Sequence, residues 1–144
     1  MQKIFMLKAL EAAKKSGGDL PVGAVIVKNG EILATQTNRR EQLNDPTAHA
    51  EILALREASK KLKNWRLDGC ELYVTLEPCP MCAFAIVQAR IKKVYFGAYD
   101  TLYGACGSVY NFNTDTKGSI MEEECQKLLK DYFEKIRKKN ERIS

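Results

Sequence analysis

The single histidine of the chain, His49, stands two residues before Glu51, and further on the run Pro78-Cys79-Pro80-Met81-Cys82 places two thiols three positions apart. An imidazole nitrogen and two thiolates fill three corners of a zinc tetrahedron, and catalytic zinc sites leave the fourth to water or substrate. With both thiols ionised and the ring neutral, the ligand charges cancel that of the metal. Glu51 is not needed as a ligand and is therefore a candidate to move protons between an activated water and a substrate. A structural zinc site is the competing reading: Cys70, Cys106 or Cys125 would close the tetrahedron, and Glu51 would be an ordinary helix-surface carboxylate. None of those three cysteines has a partner at ligand-type spacing, which favours the open set.

The composition bounds what can surround such a site. With 144 residues, 45% of them hydrophobic and 28% charged, the chain fits one domain spanning 1–144, and a largely disordered protein is excluded. The net charge of +5 is compatible with a polyanionic partner without requiring one. Five cysteines, two of them in the ligand run, and a start with no signal-peptide core point to the reducing cytoplasm. No apolar run approaches the roughly 20 residues that span a bilayer, so no membrane role is expected.

The elements that must position the four residues follow from periodicity and punctuation. Residues 2–15 repeat helically and stop at Ser16-Gly17-Gly18. Val22 to Val27 and Ile32 to Thr37 read as an antiparallel hairpin about Asn29-Gly30. Gly23 and Ala24 leave space above the first strand, for a flat ligand or, more commonly, for close packing. Asp45-Pro46 predicts a helix start with Asp45 as N-cap, which puts His49 and Glu51 in the opening turns and the metal near the helix end. Glu71 to Leu76 and Lys93 to Phe96 are strands. Pro80 opens a helix to about Arg90, so the thiols also sit at a helix N-terminus, where thiolate is favoured. Residues 120–142 form a long closing helix whose basic end, Lys135, Arg137, Lys138, Lys139 and Arg142, suits either the helix dipole or phosphate contact.

The stretches Asp45-Pro46-Thr47-Ala48-His49-Ala50-Glu51-Ile52, Leu72-Tyr73-Val74-Thr75-Leu76-Glu77-Pro78-Cys79 with Met81-Cys82, Phe96-Gly97-Ala98 with Asp100, and Gly104 to Ser108 resemble those of bacterial tRNA-specific adenosine deaminases. The wider class, zinc-dependent base deaminases, shares the His-x-Glu and Pro-Cys-x-x-Cys pattern with a glutamate as general acid and base. The resemblance implies an α/β protein with a three-layer α/β/α cytidine-deaminase-like fold, a mixed sheet and an N-terminal antiparallel hairpin. It also implies a homodimer, one zinc ion per subunit on His49, Cys79 and Cys82, and Glu51 as proton shuttle. The implied reaction is hydrolytic conversion of adenosine to inosine at the wobble position of a tRNA anticodon stem-loop. By the same resemblance Asn38 would hydrogen-bond the target base, Leu20 would line its pocket, and Asp100 would lie near the target nucleotide's sugar and its neighbour. Tyr132 and Phe133 would contact the anticodon loop, although their helical phasing also suits core packing. Between Ser108 and Glu124-Cys125 the chain is shorter than the family pattern and lacks its Asn-His-Arg-Val stretch, so the fifth strand is expected to be shortened or absent. Two alternatives stand beside this reading: a deaminase of free guanine or cytosine, and a non-catalytic zinc-stabilised RNA-binding module.

Overall fold

Alternation along the strands decides the layering, because successive side chains of a strand point to opposite faces. In β1 (Gly23–Lys28) and β3 (Cys70–Leu76), Ala24, Ile26, Leu72 and Val74 join one core, while Val25, Val27 and Tyr73 join another. α3 (Ala50–Leu62) and α4 (Pro80–Gln88) cover the first core with Ala50, Ala54, Leu55 and Ile86. α1 (Gln2–Ala13) and α5 (Glu122–Ile143) cover the second with Phe5, Met6, Leu10 and Cys125. The computed structural model thus has the expected three layers. It describes residues 2–112 and 114–143; the side chain of Arg142, part of the expected basic helix end, lies outside the described residues.

The sheet has the order β2-β1-β3-β4-β5, with β2 (Glu31–Thr37), β4 (Lys93–Ala98) and β5 (Thr116–Lys117) completing it. β1 runs antiparallel to β2 and β3, and β3, β4 and β5 run parallel. The hairpin turn is the expected one: Asn29 and Gly30 have φ of 51° and 78°, the left-handed pair of a type I′ turn. β5 is the abbreviated fifth strand, two residues long and joined to β4 through the Val94 N–H to Asp115 C=O bond of 2.9 Å. Among the described residues no helix is long and apolar enough to cross a membrane.

One expectation changes. Asp45-Pro46 does not open α3. The Asp45 carboxylate instead accepts the Thr47 N–H at 2.8 Å and the Thr47 hydroxyl at 2.7 Å, closing a local turn. The helix begins at Ala50 with His49 as its extended N-cap, at φ −71° and ψ 150°. At Gly23 the commoner reading, close packing, is the one found. A Cβ there would collide with the Ala9 carbonyl and the Ala13 amide, so glycine permits α1 to lie directly on the strand.

Candidate active site

Two helix N-termini meet at the carboxyl ends of the parallel strands. His49 is the N-cap of α3 and Cys79 the N-cap of α4, with Pro80 at its first position and Cys82 in its first turn. Neither residue makes a side-chain capping bond, and the His49 ring and the Cys79 thiol face each other. His49 Nδ1 lies 3.7 Å from Cys79 Sγ and 3.4 Å from Cys82 Sγ, and the three ligand atoms all fall within 4.8 Å of one another.

These spacings can be tested against a metal. Bonds of about 2.3 Å to sulfur and 2.05 Å to nitrogen at tetrahedral angles put nitrogen and sulfur about 3.6 Å apart. Both nitrogen–sulfur spacings therefore suit a zinc ion. The interaction with Cys82 draws the Cys79 thiol down to about 4, against its burial, while Cys79, burial and Glu51 hold Cys82 up. A bound metal ion would hold both as thiolates. His49 is raised by its bond to Cys79, with burial opposing. No spare cysteine joins the group among the described residues. Cys70 and Cys125 lie in the two cores, and burial pushes Cys106 up to about 12 with the Glu77 carboxylate adding to it. The structural, four-ligand reading finds no fourth ligand among the described residues.

Glu51 is 4% exposed in the first turn of α3, and burial pushes it up to about 7, with its own backbone bond and His49 opposing. With His49 and Cys79 it lines a pocket of about 310 Å³, at the lower end of the ~300–1,000 Å³ usual for small-molecule sites. Leu20, Asn38 and Asp100 line the same pocket, as does Val22. Asn38 is largely committed to the backbone: its Oδ1 accepts the Ala50 N–H at 2.7 Å, and its Nδ2 donates to the Leu20 carbonyl at 3.1 Å. One amide hydrogen remains for a ligand. Tyr132 and Phe133 do not line the pocket. The Tyr132 hydroxyl donates to the Gly18 carbonyl at 3.3 Å, beside the segment that carries Leu20, and Phe133 is 56% exposed.

Sequence reasoning missed four residues here, three of which act through partners distant in the chain. Glu77 is buried, and its carboxylate accepts the N–H groups of Asp100, Cys106 and Ser108 at 2.9–3.1 Å and the Ser108 hydroxyl as well. It holds the loop 99–108 over the pocket. Gly104 is required by the same contact, since a Cβ there would strike the Glu77 carboxylate and the Asp100 carbonyl. Gly104→Ala is expected to cost about 1–3 kcal/mol of stability and to lower kcat/KM through the displaced loop; chemical denaturation and steady-state kinetics on the same preparation check both.

Asp19 plays the matching part on the other wall. Its carboxylate accepts the backbone N–H groups of Leu20 and Arg40 at 2.8 and 2.7 Å and the Arg40 guanidinium at 2.8 Å, pinning α2 (Arg40–Leu43) and the Leu20 segment. Burial alone would raise this carboxyl, but the Arg40 and backbone bonds outweigh it and hold the group below its ordinary value. A lowered folded value stabilises the protein above the unfolded carboxylate range, and that contribution is lost as pH falls through the folded value. Asp19→Asn is therefore expected to reduce stability at pH 7 and to flatten its decline below about pH 4; urea midpoints measured from pH 7 to 3 check this. Arg40 and Tyr103, the other two missed residues, stand at the pocket as well.

A mixed sheet sandwiched by helices, with one histidine and two cysteines at two helix N-termini and a buried glutamate beside them, defines a zinc-dependent hydrolytic deaminase. Residues 1–98 match the family model described as the cytidine and deoxycytidylate deaminase zinc-binding region. The tRNA-specific adenosine deaminase of Bacillus subtilis (strain 168) is 44% identical over 95% of this chain and 91% of its own length. A solved structure from work on A-to-I editing by tRNA:A34 deaminases at the wobble position of transfer RNA superposes with a TM-score of 0.83 at 42% identity, over 88% of this chain and 99% of that one. Guanine deaminase from Bacillus subtilis superposes less well, at a TM-score of 0.67 and 43% identity over 76% of this chain and 70% of that one. The chain belongs to the cytidine and deoxycytidylate deaminase family and, within it, to the tRNA-specific adenosine deaminases.

Proposed function

We propose that this protein, acting as one domain in the cytoplasm, hydrolyses adenosine to inosine at the wobble position of tRNA anticodons. The observation that carries the reading is the three-ligand triangle of His49, Cys79 and Cys82 with Glu51 buried beside it in an open pocket. A zinc ion held by the triangle supplies Lewis acidity that makes water nucleophilic at neutral pH. The Glu51 carboxylate takes a proton from the attacking water and delivers it to purine N1 as the oxygen adds at C6. A second proton passes through the same carboxylate to the amino group, the C6–N bond breaks, and ammonia leaves. Leu20, Val22 and Leu76 give the base an apolar enclosure, and the remaining Asn38 amide hydrogen orients it.

An anticodon loop suits the pocket because its bases are already unpaired, so extrusion costs less than from a duplex. Tyr132 and the exposed Phe133, with the exposed cations Lys135, Arg137, Lys138 and Lys139 on the same helix, supply stacking and phosphate contacts to that loop. The protein acts as a homodimer. An apolar groove between α3 and α4, lined by Ile52, Leu55, Ala85 and Ala89 and edged by Trp65 at 61% exposure, supports that assembly. Sedimentation at twice the chain mass is expected; a stable monomer contradicts it.

The likeness to guanine deaminase keeps free-base deamination as a second reading. Zinc-loaded protein incubated with an anticodon stem-loop carrying adenosine at the wobble position is expected to yield inosine and ammonia in equal amounts, and none from guanine or cytosine. Ammonia from a free base and none from the stem-loop overturns the tRNA reading.

A further inference from the structure

Tyr103 lines the pocket and is nevertheless 63% exposed. Its side chain has no ring or hydrogen-bond partner among the described residues. The backbone beneath it, by contrast, is fixed. The Tyr103 N–H donates to Asp100 Oδ1 at 3.0 Å, the Gly104 N–H donates to the Asp100 carbonyl at 2.9 Å, and Glu77 ties the two ends of the loop together. Leu102 beside it, 71% exposed, widens the apolar surface.

A flat ring without a partner, on a rigid base at the mouth of a base-sized pocket, meets the requirements for stacking on an unpaired base. Every base offers a π-face, and the platform loses little freedom on binding. A target base would occupy the pocket interior against Leu20, Asn38 and Glu51, which leaves the exposed ring to the next nucleotide along the strand.

We propose that Tyr103 forms a stacking subsite for the unpaired base adjoining the target nucleotide, an inference that rests on the RNA-loop reading above. The subsite is tolerant of base identity, since stacking reads no hydrogen-bonding edge. Its contribution is to binding and not to proton transfer.

The test pairs Tyr103→Ala and Tyr103→Phe with three stem-loops: an intact one, and two with a single abasic residue immediately 5′ or 3′ of the target adenosine. On the intact loop, Tyr103→Ala is expected to raise KM roughly tenfold with kcat within about twofold of wild type, and Tyr103→Phe to restore KM. On one of the two abasic loops the wild type should lose that same factor, and Tyr103→Ala should add no further loss. A full Tyr103→Ala penalty on both abasic loops overturns the subsite, as does a fall in kcat with KM unchanged. Failure of wild-type protein to convert the intact loop would instead overturn the proposed function, and the subsite with it.

Discussion

Glu51→Ala is expected to keep one zinc per chain and to lose about 10²–10⁴-fold in turnover, the range supplied by a positioned proton carrier. The separation of the two properties follows from geometry. His49, Cys79 and Cys82 form the metal-holding group among the described residues, and Glu51 stands outside it while lining the same pocket. Removing its carboxylate takes away the acceptor for the water's proton and the donor to purine N1 and leaves the ligands intact. Glu51→Gln should behave alike, since an amide keeps the shape and hydrogen-bonding reach of the acid but does not carry the proton. Zinc by mass spectrometry and single-turnover inosine formation measure the two properties independently; loss of zinc together with activity would place Glu51 among the ligands.

The second large effect is expected from Cys82→Ser. Cys82 is fully buried in the first turn of α4, and its thiolate is one of only two anionic ligands. A serine hydroxyl stays protonated at neutral pH, so zinc affinity should fall by ~10-fold or more, activity should drop to background, and the thermal midpoint should fall because metal binding contributes to folding. Wild-type protein stripped by a chelator should show the same lowered midpoint and, unlike the variant, recover fully with added zinc. Undiminished zinc content in Cys82→Ser contradicts the ligand assignment.

What the sequence made legible was whatever depends on near neighbours. Asn29-Gly30 announces its turn because both positions need positive φ, and Pro80 announces the start of α4 because it lacks an amide that the helix would leave unbonded. The ligand set was legible because donor chemistry is fixed by residue type. The start of α3 was misread because Asp45 satisfies a turn as readily as a helix end, and because His49 must stay extended for its ring to reach across to α4. α2 was not anticipated at all: its first residue, Arg40, is held by Asp19, 21 positions earlier in the chain. Glu77 was read as part of a motif and given no task. Its bonds to Cys106 and Ser108 span 29 and 31 residues, so only the folded chain shows that it sets the wall facing the substrate.

The central claim is an ion held by one imidazole and two sulfurs, with its remaining position open to solvent and the neighbouring carboxylate uncoordinated. Zinc X-ray absorption on the wild-type and Glu51→Ala proteins addresses it directly. Two sulfurs at about 2.3 Å and two lighter neighbours at about 2.0 Å are predicted, unchanged between the two proteins. A third sulfur, or a light neighbour lost with Glu51, would contradict the account.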